Sequence, residues 1–215
     1  DAVEVGAMYQ TTCVRRGTPG AYYVTCFGNN TNGQCGVGTT VTPITTPGAP
    51  VLGLTADTLE LSHGFADGIC ARTSDGRGLC WGANSGLYSL GVGGASGGNI
   101  TSATPLLGMT EVVEVSLSTA SGCLLRGAAP GGEVWCWGYT SAVRWIDGMT
   151  SGTVYEALRA GPVGAPIADA IAVAAGDQRW CATRASGAVV CMGFDSDGGL
   201  GDGPGVTSST TPVAA

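Results

Sequence analysis

Nine cysteines are the residues of this 215-residue chain whose spacing most directly specifies chemistry, and that chemistry is thiol oxidation. Eight fall into pairs, Cys13 with Cys26, Cys70 with Cys80, Cys123 with Cys136, and Cys181 with Cys191. Between the partners lies a turn-forming segment, such as Ser74-Asp-Gly-Arg-Gly78 or Ala185-Ser-Gly187, and strand-like residues such as Tyr22-Tyr-Val24 follow it. Each pair therefore reads as a hairpin. Directly opposed residues of antiparallel strands have Cα atoms roughly 4.5–5.5 Å apart, within reach of a disulfide. Four bridges are expected: Cys13–Cys26, Cys70–Cys80, Cys123–Cys136 and Cys181–Cys191. Cys35 is left unpaired; it takes the position of Leu90, Ile146 and Leu200 in the other units, so a small buried apolar role is favoured over an intermolecular disulfide.

Oxygen chemistry offers less. Asp195, Asp197 and Asp202 sit in Phe-Asp-Ser-Asp-Gly-Gly-Leu-Gly-Asp-Gly, where hard oxygen ligands and sharp glycine turns suit Ca²⁺. A twelve-residue calcium loop ends in a bidentate Glu, which Pro204 to Thr207 does not supply, so a turn of the repeat is the preferred reading and calcium the alternative. Glu4, Glu60 and Glu114 recur at equivalent strand positions, with Ala172 in the fourth unit; they are either a cation or partner site on an axis or solvated strand residues, and the latter is preferred. His63 is the single histidine, which argues against a zinc site or a serine–histidine pair. No catalytic constellation, cofactor site or metal site is expected.

The elements that hold these residues come from an internal repeat. The second cysteines lie 54, 56 and 55 positions apart, the size of a propeller blade. Val-Glu-Val at 3 to 5, Leu-Glu-Leu at 59 to 61, Val-Glu-Val at 113 to 115 and Ile-Ala-Val at 171 to 173 open the units with strand alternation. Phe27-Gly28, Trp81-Gly82, Trp137-Gly138 and Met192-Gly193 follow the second cysteines, and a glycine-rich tail such as Gly33-Gln-Cys-Gly-Val-Gly38 or Gly199-Leu-Gly-Asp-Gly203 ends each unit. The third tail departs most, because Tyr139 to Ile146 has no glycine before the Leu-like position. With Cys-Ala at 70 and 181 and Gly-Leu-Gly-Asp-Gly at 199, the units resemble the regulator of chromosome condensation repeat over essentially the whole chain.

That resemblance implies an all-β propeller of four-stranded antiparallel blades. Four blades are expected here, with units at approximately 1–56, 57–110, 111–167 and 168–215, almost no helix, and Trp81 and Trp137 packed between blades. Trp145, Trp180, Tyr22, Tyr23 and Tyr88 fall off that register and are interface anchors wherever they are exposed. Because both ends fall at the same phase of the repeat, the chain is read as part of a larger propeller or array that docks against further blades or copies.

Nine arginines, no lysine and a net charge of −7 argue against a nucleic-acid partner, which draws on a concentrated basic surface. Arg15-Arg16 borders a turn, where a solvated role is expected. No apolar stretch is long enough to span a bilayer. The paired cysteines point to an oxidising compartment: extracellular, cell-surface or periplasmic. Asn29-Asn30-Thr31 and Asn99-Ile100-Thr101 fit the glycosylation acceptor pattern. The expected role is a disulfide-stabilised binding or assembly module for a protein partner, without catalysis; the alternative is an extracellular hydrolase or lyase with an axial acidic or metal-assisted site.

Overall fold

Period-two alternation with β-branched residues, interrupted by glycine-rich turns, yields, among the described residues, fifteen strands and no helix. The structure, a computed structural model, describes residues 1–55, 57–64, 67–84, 90–93, 98–119, 121–127, 131–140, 146–148, 152–161, 164–195, 197–204 and 208–215. Blade 1 contains β1 (Ala2–Ala7), β2 (Thr11–Arg16) and β3 (Tyr23–Gly28). Blade 2 contains β4 (Thr58–His63), β5 (Gly68–Thr73), β6 (Gly78–Gly82) and β7 (Ile100–Pro105). Blade 3 is β8 (Val112–Leu117), β9 (Ser121–Arg126), β10 (Glu133–Thr140) and β11 (Gly152–Arg159). Blade 4 is β12 (Ala170–Gly176), β13 (Arg179–Arg184), β14 (Val189–Phe194) and β15 (Ser208–Ala214). Each sheet is an antiparallel meander in chain order.

Blade 1 departs from four strands. Its outer segment touches β3 only through isolated bridges, Gly28 with Ile44 and Thr25 with Pro50. Pro43, Pro47 and Pro50 explain this, since proline cannot donate to a ladder and is tolerated only at its edge.

The cysteine hairpins are formed with both partners directly opposed, and sulfur–sulfur bonds join all four pairs. The residue after the second cysteine then slips out of register. In blades 2, 3 and 4 the pairing with the outer strand skips Trp81, Trp137 and Met192, a bulge that turns these side chains into the seam with the preceding blade. Glycine must follow. Gly82 has φ +108°, and a Cβ there would lie 2.1 Å from the Asp67 carbonyl oxygen. Gly28 and Gly193 meet Gln10 and Gln178 carbonyls in the same way.

The core lies at the seams between blades. Cys13, Cys26 and Val24 of blade 1 cluster with Leu61, Ile69 and Trp81 of blade 2. Cys70 and Cys80 cluster with Val115 and Trp137, and Cys123 and Cys136 with Val173, Trp180 and Met192. Blades 1, 2 and 3 thus offer their disulfides forward, and blades 2, 3 and 4 their bulged large side chains backward. Leu61, Val115 and Val173 are buried by that packing; Val5, their counterpart in blade 1, is 69 % exposed.

Candidate binding surface along the first strands

The first strands β1, β4, β8 and β12 stand side by side, and one irregularity repeats in all of them. Their pairing with the second strands skips a residue between Ala2 and Glu4, Thr58 and Glu60, Val112 and Glu114, and Ala170 and Ala172. The skipped residues are Val3, Leu59, Val113 and Ile171. Alternation alone places them on the same side of their strands as Val5, Leu61, Val115 and Val173; the bulge re-aims them. Val3 is 48 %, Val113 38 % and Ile171 50 % exposed, so three blades present aliphatic side chains along one row.

Two of the glutamates beside that row, Glu4 and Glu114, are latches, whereas Glu60 is partly exposed, as expected of a solvated strand residue, and pairs with Arg72. The Leu61 N–H donates to Glu4 Oε1 at 3.1 Å, and the Val173 N–H donates to Glu114 Oε2 at 2.9 Å. Serines two residues on do the same: the Leu117 N–H donates to Ser62 Oγ at 2.9 Å, and the Ala175 N–H to Ser116 Oγ at 3.0 Å. Each side chain reaches the backbone of the next blade and satisfies a donor on the open edge of its first strand. Blade 4 carries Ala172 and Ala174 at these two positions.

Within the blades, the residue facing the glutamate changes. Glu4 faces Arg15, with Nε to Oε2 at 2.7 Å, and Glu60 faces Arg72 at 3.3 Å. Glu114 faces Leu125 instead, and Ala172 faces Thr183. Where the arginine is missing, a cleft of about 450 Å³ opens, lined among others by Glu60, Val113, Glu114, Leu125, Ile171 and Ala172. Burial raises the Glu114 pKa and the Glu60 charge adds to that, while the Val173 N–H and Arg72 act in the opposite direction. Further ion pairs join Arg16 with Asp1, Arg77 with Asp75, Arg159 with Glu133 and Arg184 with Asp169. Arg15 and Arg16 are thus not free surface charges, contrary to expectation; Arg15 also lies over the Tyr22 ring, 4.5 Å from its centroid.

The remaining candidates serve the fold. Asp195 is buried, and its Oδ1 accepts the Leu200 N–H at 2.7 Å. Asn30 and Asn84 make the equivalent bonds to Cys35 and Leu90, so Asp195 belongs to the tail turn of the repeat. Among the described residues no three acids, histidines or cysteines, Asp195, Asp197 and Asp202 included, are placed to hold a metal. Cys35 is fully buried in the seam of blades 1 and 2, where burial pushes its thiol pKa up to about 11; an intermolecular disulfide through it would require opening that seam. His63 lies over Gly6, borders a cleft of about 350 Å³ with Met8 and Tyr9, and has its pKa lowered by burial against the opposing pull of Glu4.

Asn29 and Asn99 stand close together: Asn29 Nδ2 donates to Gln10, and Asn99 Nδ2 to Asn32 and to the Thr31 carbonyl. Trp81 and Trp137 are buried, and the Trp81 indole N–H donates to the Gln34 carbonyl at 3.0 Å. Trp180 is also buried at a seam and is no interface anchor; Tyr23 is exposed. Trp145 and Tyr88 lie outside the described residues. So does Ser96, whose Gly94-Ala-Ser-Gly-Gly98 setting has the Gly-x-Ser-x-Gly spacing that the sequence reading missed; its nucleophile elbow also requires a following helix. Tyr9, 73 % exposed, and Trp135, its indole N–H bonded to Glu133 and its ring beneath Arg126, carry no signal in the repeat.

No family model and no curated protein matches this sequence. Solved structures do. Human WBSCR16 superposes with a TM-score of 0.77 at 18 % identity, over 99 % of this chain and 52 % of that one. Yeast RCC1 (Prp20) bound to Kap60 gives 0.76 at 18 % identity, over 100 % and 48 %. Prp20p of Saccharomyces cerevisiae, in a structure described with its binding to Gsp1p and histones, gives 0.71 at 17 % identity, over 100 % and 50 %. The fold is therefore that of an RCC1-like β-propeller, represented here by four blades. The chain spans about half the length of the solved structures it matches.

Proposed function

We propose that this chain is a disulfide-stabilised propeller module that binds protein in an oxidising compartment, at the cell surface, outside the cell or in a periplasm, and catalyses nothing. The observation that carries the reading is the bulged row Val3, Val113 and Ile171. Exposed aliphatic side chains on a cross-linked frame, rimmed by ion pairs, have the apolar centre and polar rim of a protein interface. Four bridges support the compartment, since such bonds persist where thiols are not kept reduced. No helix among the described residues is long and apolar enough to cross a membrane. The protein partners named for Prp20 lend the same reading to this fold by analogy only.

The uncovered face around Val5 supports assembly through a further blade or copy, because its counterparts inside the chain are all covered by a neighbouring blade. The test is capture of binding proteins from the extracellular fraction of the source cells by the oxidised protein and by a Val3→Asp, Val113→Asp, Ile171→Asp variant. A protein retained by the first and lost by the second is expected. Identical capture by both, or turnover of hydrolase substrates by the purified chain, overturns the reading.

A further inference from the structure

The cleft between blades 3 and 4 marks the place of an absent arginine. In blades 1 and 2 the glutamate of the first strand faces an arginine of the second, and the two pair at 2.7 and 3.3 Å. In blade 3 that arginine is replaced by Leu125, which is buried and lines the cleft. Among the described residues no cation lies within ion-pair distance of Glu114. Arg72, the nearest by its influence, is bonded to Glu60, and Arg126 sits over Trp135. Blade 4 contributes Ala172 where a further glutamate would stand, which leaves the space open on that side.

We propose that this cleft receives an arginine side chain from the protein partner, resting on the binding function inferred above and naming the group recognised. The guanidinium meets the Glu114 carboxylate as Arg15 meets Glu4, with Glu60 adding negative charge behind it. Its methylene stem lies between Val113, Ile171 and Leu125. A planar fork of donors can bond the Glu114 oxygen that the Val173 N–H does not use, and apolar walls favour the weakly hydrated guanidinium over a compact ammonium. The net charge of −7 and the lack of any lysine favour a cationic partner at longer range.

The probe is the peptide acetyl-Gly-Arg-Gly-amide, titrated into methyl-labelled oxidised protein and followed by NMR, beside the same peptide with neutral citrulline. Saturating shifts confined to the methyls of Val113, Leu125 and Ile171 are expected, with an affinity of ~1 mM for a single residue and at least tenfold weaker binding of citrulline. Glu114→Gln, which keeps an acceptor for the Val173 N–H, should weaken the arginine peptide to the same extent. The citrulline comparison needs no variant and decides the matter even if Glu114→Gln unfolds. Equal binding of both peptides, scattered shifts, or no saturation overturns the assignment. If the peptide fails while the three-aspartate variant still loses its captured protein, only the arginine is wrong; if both fail, the binding reading falls with it.

Discussion

Reducing this protein should remove most of its stability. Each bridge closes a short hairpin, with sequence separations of 10 for Cys70–Cys80 and Cys181–Cys191 and 13 for Cys13–Cys26 and Cys123–Cys136. Constraint of the unfolded chain at these lengths contributes ~2.7 and ~2.9 kcal/mol per bridge, or about 11 kcal/mol for all four. A domain is stable by only ~5–15 kcal/mol in total. The bridges therefore decide whether the fold persists at all. A double variant, Cys70→Ala with Cys80→Ala, isolates one of them and should lower the urea midpoint by about 1 M or more, given slopes of ~1–3 kcal/mol per molar urea. Urea unfolding of the oxidised, reduced and doubly substituted proteins, followed by tryptophan emission, makes the comparison. A thiol assay fixes the redox state in each case: the oxidised chain should yield one reactive thiol, Cys35, and only after unfolding. Equal midpoints for oxidised and reduced protein, or three or more thiols in the untreated protein, would refute the reasoning.

Two other outcomes follow from single positions. His63 has its pKa lowered below the unfolded 6.5, so the unfolded chain binds the extra proton more readily; stability should be fully present above about pH 6.5 and decline as pH falls below it. In His63→Gln that slope should vanish from denaturation curves measured between pH 5 and 7. Gly82→Ala forces a side chain against the Asp67 carbonyl at positive φ and should cost ~2 kcal/mol or more, whereas Gly20→Ala, also at positive φ but with nothing within 4 Å, should cost ~1 kcal/mol. Similar thermal shifts for the two would remove the steric explanation of the cysteine–aromatic–glycine motif.

The blades were legible because their signals are local or periodic. Strand alternation, turn glycines and the recurrence of Cys-Trp-Gly each survive in a linear reading, and the fold follows from them. The surface was not legible, for two physical reasons. A bulge moves Val113 and Ile171 to the opposite face from the one their alternation indicates, and no residue type announces it. Two of the glutamates act on backbone N–H groups 57 and 59 residues away, Glu4 on Leu61 and Glu114 on Val173, and a backbone partner leaves no side-chain pattern to find. In the core, Trp180 was missed for a separate cause: it stands immediately before the first cysteine rather than after the second, yet both positions open onto the same seam.

The latches also bear on how such an array can change its length. A carboxylate or hydroxyl that takes a peptide N–H is indifferent to the residue supplying it, and Leu61, Leu117, Val173 and Ala175 all serve. The forward half of a seam travels inside one unit, and the receiving half is met by any strand of the right shape. Tandem duplication of a stretch of DNA encoding one such unit would therefore produce a blade already fitted to its successor, with no matched pair of substitutions required. Ala172 and Ala174 make blade 4 the exception, a unit whose copy would have to rely on apolar packing alone to hold what comes after it.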